Sequence, residues 1–269
     1  MKSFHVICGL PRSGSTLLCN VLNQNSEVYA SSTSSLPFLL SSVVNLVSNS
    51  PEIKSDLINN RSFAEQRVQL LLKTMVETWY KDKPHVFDKG RLWGSSSLLL
   101  RNLFPNSLII CLVRDLRNIF ASVEKTHMQH PFFDLAADPP QKTIYGRADE
   151  MFSPNGLIGS TILSVEDLIR RNPENLMIVR YEDFVVSPDK YIKEIYLRIR
   201  LNYFKHNYND IKNTAEDVDG LYLNKFPHVG EGKITVFDLH EWRRYLSEDL
   251  ATLIMERYPF YNSTFKYYT

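Results

Sequence analysis

Gly9-Leu10-Pro11-Arg12-Ser13-Gly14-Ser15-Thr16 is the stretch on which the fold turns. It has the GxxxxGx[ST] outline of a phosphate-binding loop. Residues 4–10 read as a buried strand leading into it, and residues 14–23 place Leu17, Leu18, Val21 and Leu22 at helical spacing after it. In that setting glycines let the backbone curl, its N–H groups converge, and the amino end of the helix favours an anion. The plainer alternative is a tight strand-to-helix turn with ordinary capping by Ser13. A nucleotide triphosphatase places a lysine just before the final Ser/Thr, against the β- and γ-phosphates beside Mg²⁺. Here Ser15 holds that place, and the cation comes earlier, as Arg12. Such a loop suits an anionic group less highly charged than a triphosphate, without a metal.

Working outward, residues 30–50 are rich in serine and leucine and predict a helix after a loop. Residues 63–80 repeat Val68, Leu71, Leu72, Met75, Val76 and Trp79 as an amphipathic helix. His85-Val86-Phe87-Asp88-Lys89 reads as a second short strand ending in charge, and residues 94–103 as a helix. Residues 107–113 are almost continuously apolar, as a strand buried on both faces requires, and end at Arg114-Asp115 before a helix reaching about residue 125. Residues 176–179 repeat the pattern and end at Arg180-Tyr181-Glu182-Asp183. Residues 126–159, with His127, His130, Pro131, Phe132, Phe133, Pro139 and Pro140, read as a long irregular segment forming part of an acceptor-binding lid. A helix is predicted over 238–258, after the Gly230-Glu231-Gly232-Lys233 turn.

Strands alternating with helices predict an α/β fold of three layers, P-loop-like, with a central parallel sheet flanked by helices. One domain over 1–269 is the expectation. Charged residues recur where the strands finish, which is the edge at which open α/β sheets bind ligands.

The 31 basic and 30 acidic residues nearly cancel, which argues against a broad cationic surface and a nucleic-acid partner. The apolar start is only strand-length, and the longest later tract, 36–47, is broken by Pro37, Ser41, Ser42 and Asn45. Neither reads as a signal sequence or a membrane span. Cys8, Cys19 and Cys111 are an odd number in apolar surroundings and read as buried small hydrophobes of a reducing compartment, with a cytoplasmic location as the default. His5, His85, His206, His228 and His240 lack metal-ligand spacing, so no metal site is expected. No Gly-x-Ser-x-Gly elbow supports a hydrolase.

Four segments together resemble the sulfotransferases that use 3′-phosphoadenylyl sulfate (PAPS). Residues 9–18, Gly-Leu-Pro-Arg-Ser-Gly-Ser-Thr-Leu-Leu, are similar to the family's 5′-phosphosulfate loop, in the Pro-Arg-Ser-Gly form of tyrosylprotein and many bacterial members. Residues 113–122 resemble its 3′-phosphate element, a buried strand ending in arginine followed by a helix serine. Arg114 and Ser122 lie about two helical turns apart, so one face can offer both to a phosphate. Val179-Arg180-Tyr181-Glu182-Asp183-Phe184 is similar to the segment whose tyrosine approaches the adenine. Glu182 and Asp183 are expected to make structural bonds. The Gly230-Glu231-Gly232-Lys233 stretch resembles the late loop that closes over the nucleotide and supplies a cation.

The resemblance implies PAPS as sulfuryl donor, PAP as product, and a hydroxyl-bearing small molecule, sugar or tyrosine as acceptor. It implies nucleotide contacts from Arg12, Ser13, Gly14, Ser15, Thr16, Arg114, Ser122, Tyr181 and Lys233. Lys89 matches the position of the family lysine that stabilises the transferring group, with Arg12 assisting. The base does not carry over. Cytosolic members have a histidine two residues after that lysine, where this chain has Arg91. The tyrosylprotein branch has a glutamate after the first helix, where this chain has Ala30-Ser31-Ser32-Thr33-Ser34-Ser35. Asp88, Glu124 and His127 are the candidates, with His127 favoured because an unperturbed imidazole titrates nearest neutrality. Two other readings stand beside this one: a phosphotransferase using ATP and Mg²⁺, and a nucleotide-binding module without catalysis.

Overall fold

The computed structural model describes residues 1–130, 138–217, 219, 228, 230–236 and 238–268. Strands β1 (Ser3–Gly9), β2 (Val28–Ala30), β3 (His85–Lys89), β4 (Ile109–Val113) and β5 (Leu176–Arg180) form one sheet in the order β2-β3-β1-β4-β5. Every pairing is parallel. The helices are α1 (Ser15–Leu22), α2 (Leu36–Asn49), α3 (Pro51–Asn59), α4 (Arg61–Trp79), α5 (Ser97–Leu103), α6 (Leu116–Met128), α7 (Ile144–Met151), α8 (Leu157–Arg171), α9 (Tyr181–Val186), α10 (Pro188–Arg198), α11 (Glu248–Arg257) and α12 (Pro259–Phe265).

The strands alternate by face, as a period of two dictates. Phe4, Val6, Cys8, Val86, Ile109, Cys111 and Val113 pack on one side against α2, α4, α5, α6, α8, α11 and α12. Ile7, Phe87, Ile110, Leu112, Met177 and Val179 pack on the other against α1, α9 and α10. The sheet is therefore the middle of three layers. The three cysteines are buried and unbridged, as their apolar surroundings imply.

Three readings need correction, and one helix, over Pro51–Asn59, was not anticipated. Val28–Ala30 is a strand, so residues 85–89 are the third strand and not the second; three residues are too few to show a period. Pro51–Asn59 is a helix of its own, capped by Ser50, whose hydroxyl accepts from the Ile53 N–H. The segment 126–159 is largely helical where described: α6 runs to Met128, α7 occupies Ile144–Met151 and α8 begins at Leu157. Thr143 caps α7 by accepting from the Gly146 N–H at 3.0 Å. Residues 131–137 of the expected lid lie outside the described residues. The stretch 238–258 is two elements, a 3₁₀ turn at Glu241–Arg244 and then α11, because the Ser247 hydroxyl starts a fresh helix by accepting from the Leu250 N–H.

The strand order puts β1 in the centre, with the chain crossing from β3 past it to β4. The crevice at the carboxyl ends of such strands is where open α/β sheets hold ligands. Gly9 closes β1 at φ 120°, and a Cβ there would lie 2.1 Å from the Leu112 carbonyl oxygen. Only glycine lets the loop leave the sheet so close to β4.

Candidate active site

After Gly9 the chain turns back on itself to start α1 at Ser15. Gly14 is the residue before the helix, at φ 86°. Ser13 does not cap this helix; it is fully buried, and its hydroxyl donates to the Leu10 carbonyl at 2.6 Å. Gly14 has no side chain to cap the first turn of α1, and Gly14, Ser15, Thr16 and Leu17 at that end line the cleft. Arg12 takes the left-handed conformation at φ 57°, at a cost of about 1–2 kcal/mol for a residue with a Cβ. Its Nε donates to Ser122 Oγ at 3.0 Å, and its carbonyl oxygen accepts from an Arg114 Nη at 2.7 Å, which help to hold it there.

Arg114 follows β4 directly, and its guanidinium lies 4.3 Å from the centre of the Tyr181 ring. That ring follows β5 and packs on the loop so closely that a Cβ on Gly14 would sit 2.5 Å from it. Burial, and then the charge of Arg114, depress the pKa of Arg12. Two guanidiniums held together in a partly desolvated place repel, and an anion between them relieves that repulsion.

A cleft of about 800 Å³ opens over the loop, within the size range of small-molecule sites. Arg12, Gly14, Ser15, Thr16, Lys89, Arg114, Tyr181 and Lys233 all line it. Ser122 is joined to the cleft through Arg12, and Ser13 lies beneath it. Lys89 ends β3, where its backbone N–H donates to Ser31 Oγ at 2.8 Å and its Nζ to Thr16 Oγ1 at 3.2 Å. Burial pushes its ammonium below the ordinary lysine value, against the opposing pull of Asp217 and Asp219.

The base candidates read from the sequence fare differently. Asp88 is wholly buried and accepts from Ser34 Oγ and Trp93 Nε1, both at 2.6 Å, and from the Tyr80 hydroxyl. Desolvation raises its pKa despite those three donors. Glu124 is buried in a two-point ion pair with Arg147, at 2.9 and 2.6 Å. Both carboxylates are occupied in holding the fold. His127 stands in the last turn of α6 and is not among the residues lining the cleft. Glu182 and Asp183 make structural bonds as expected: Glu182 accepts from the Asp115 N–H and the Tyr267 hydroxyl, each at 3.0 Å, and Asp183 pairs with Arg180 at 3.2 Å.

One group at the cleft escaped the sequence reading. His228 lines it, with Nδ1 2.6 Å from Asp219 Oδ1 and Nε2 3.0 Å from Thr33 Oγ1. Screening the histidines for metal spacing could not find this arrangement, because Thr33 lies 195 positions from His228.

A parallel sheet in the middle of three layers, whose first strand ends in a lysine-free glycine loop with Arg12, Lys89, Arg91, Arg114 and Lys233 lining the cleft over it, defines an α/β protein of P-loop type with a site suited to an anionic group. The chain belongs to the sulfotransferase family, whose model matches residues 6–205, and it is thereby a sulfotransferase enzyme. Its fold is similar to the sulfotransferase domain from the curacin biosynthetic pathway, with a TM-score of 0.55 and 16% identity over 96% of this chain and 97% of that one. It is similar also to the sulfotransferase domain of the Synechococcus PCC 7002 olefin synthase, with a TM-score of 0.55 and 18% identity over 96% of each chain. A mouse sulfotransferase complexed with PAP has a TM-score of 0.51 and 14% identity over 96% of this chain and 84% of that one. No curated protein matches the sequence. Among the described residues no helix is long and apolar enough to cross a membrane.

Proposed function

We propose that this sulfotransferase takes PAPS as its donor and a hydroxyl as its acceptor. The observation that carries the reading is the junction of Arg12 with both Arg114 and Ser122, which links the glycine loop to the end of β4 and the middle of α6 at one cleft. The loop N–H groups and Arg12 are suited to the 5′-phosphosulfate. Arg114, with Ser122 behind it, is suited to the 3′-phosphate, Tyr181 to the adenosine, and Lys233 to closing over the nucleotide. The complex of a structural neighbour with PAP supports this choice of donor.

In the transfer, the acceptor oxygen bonds to sulfur as the bond from sulfur to the bridging 5′-phosphate oxygen breaks, and the electron pair stays on that oxygen. Lys89 and Arg12 stabilise the charge that builds there. Binding to a preset site holds the reacting oxygens in line.

Ligand-induced stabilisation tests the reading. PAP in metal-free buffer raises the melting temperature, by an amount equivalent to about 2.7 kcal/mol at a hundred times Kd. Stabilisation by ATP with Mg²⁺ and none by PAP would favour the phosphotransferase, for which the loop lacks its lysine.

A further inference from the structure

We propose that His228 is the general base that takes the proton of the acceptor hydroxyl, and that Asp219 positions it. The inference rests on the PAPS-to-hydroxyl reading above. Asp219 grips His228 twice: Oδ1 is 2.6 Å from the ring Nδ1, and Oδ2 accepts the backbone N–H of His228 at 3.1 Å. A carboxylate only accepts, so Nδ1 carries the ring proton and Nε2 presents a lone pair. That lone pair is already satisfied by an aliphatic hydroxyl, Thr33 Oγ1 at 3.0 Å, in the same cleft that holds Lys89. The Thr33 hydroxyl marks a place where an acceptor hydroxyl meets the base, within the reach that proton transfer requires.

The surroundings also suit an imidazolium. Asp217 Oδ2 lies 4.0 Å from Nδ1, is buried, and has no hydrogen-bond partner among the described residues. Protonation of His228 gives that oxygen a counter-charge. Burial pushes the Asp219 carboxyl up, but the bonds from His228 and the field of Lys89 outweigh it, so Asp219 stays ionised below the usual range. The same field ties the pair to the transferring end of the cleft: Lys89 feels both Asp217 and Asp219.

The step balances. The acceptor O–H bond breaks with its proton going to Nε2, the oxygen–sulfur bond forms, and the sulfur–phosphate oxygen bond breaks to release PAP. The imidazolium returns its proton to solvent. Glu231 also lines the cleft and is the rival, exposed on the glycine turn.

The test measures PAP affinity by calorimetry and PAP release from PAPS with water, ethanol and phenol as acceptors. His228→Ala is expected to bind PAP within about twofold of wild type and to lose about a hundredfold in release, with imidazole in solution restoring part of it. Asp219→Asn is expected to lose about tenfold with PAP affinity kept, and Asp219→Glu to recover part of that. Glu231→Gln stays within about threefold. Four outcomes overturn the assignment: a His228→Ala rate within threefold of wild type, a loss that imidazole does not reverse, a loss carried by Glu231→Gln, or a wild type that binds PAP yet releases none with any acceptor. A wild type that does not bind PAP removes the donor itself, and the base with it.

Discussion

Arg114 donates a hydrogen bond at 2.7 Å to the main-chain carbonyl of Arg12, so the end of β4 is fastened to the glycine loop after β1. The bond does more than place one side chain. It holds Arg12 in a left-handed conformation and aims its guanidinium at Ser122, which makes the loop and the two-turn Arg114–Ser122 face a single unit.

Arg114→Ala is expected to weaken PAP binding by about 2–5 kcal/mol, the usual loss when a buried charged contact is truncated. Part of the loss comes through Arg12, whose carbonyl is left without this donor. Calorimetric titration measures the change, and circular dichroism confirms that the fold is kept. An affinity within threefold of wild type would refute the role.

Lys89→Ala is expected to lower turnover about a hundredfold or more while changing PAP affinity less. The ammonium is bonded to Thr16 at the start of α1 and is already depressed by burial, so it meets a developing negative charge with little water to screen it. Single-turnover rates with PAPS, set beside PAP affinity, separate the two effects. The opposite ranking moves Lys89 from chemistry to binding.

How much of this was legible before the fold was known differs by residue for physical reasons. The strands β1, β3, β4 and β5 announce themselves as apolar runs with a charged residue at the end, and parallel topology then sends Arg12, Lys89, Arg114 and Tyr181 to one edge. The helix α8 carried a signal too, with Ile158, Ile162, Val165 and Leu168 on its buried side, but it was masked by the proline-rich run before it. His228, Asp219 and Thr33 gave none. None belongs to a periodic stretch of sequence, and 195 positions separate Thr33 from His228, so only tertiary structure brings them together. Asp88 misled for the opposite reason: a carboxylate beside Lys89 looks catalytic until three buried donors are found on it.

Gly14→Ala is expected to lower both stability and PAP affinity. A Cβ in the left-handed region costs about 1–2 kcal/mol, and here it also meets the Tyr181 ring at 2.5 Å. The ring must move, taking with it the surface on which the Arg114 guanidinium rests. Thermal melting with and without PAP distinguishes this from simple destabilisation, because the stabilisation given by PAP shrinks as well. A variant with a lower melting temperature but an undiminished PAP shift would contradict the coupling.

His5 predicts a pH dependence of the fold that is separate from catalysis. Burial, helped by the charge of His85, pushes its pKa down from 6.5 to about 3. Its Nδ1 accepts from the Leu108 N–H at 3.0 Å, so a proton on that nitrogen breaks the bond. Its Nε2 is 2.8 Å from Ser3 Oγ, which in turn is 2.8 Å from His85 Nδ1. Between the two pKa values the unfolded chain binds the proton and the folded chain does not. Stability from this site is therefore complete above about pH 6.5 and falls as pH drops towards 3, by up to about 1.4 kcal/mol per pH unit. His5→Asn keeps an acceptor for the Leu108 N–H and removes the titrating ring. Urea midpoints measured from pH 7 to pH 4 are expected to fall more steeply for wild type than for the variant. Parallel slopes would mean that the acid sensitivity arises elsewhere, because no other change between the two chains binds a proton in that range.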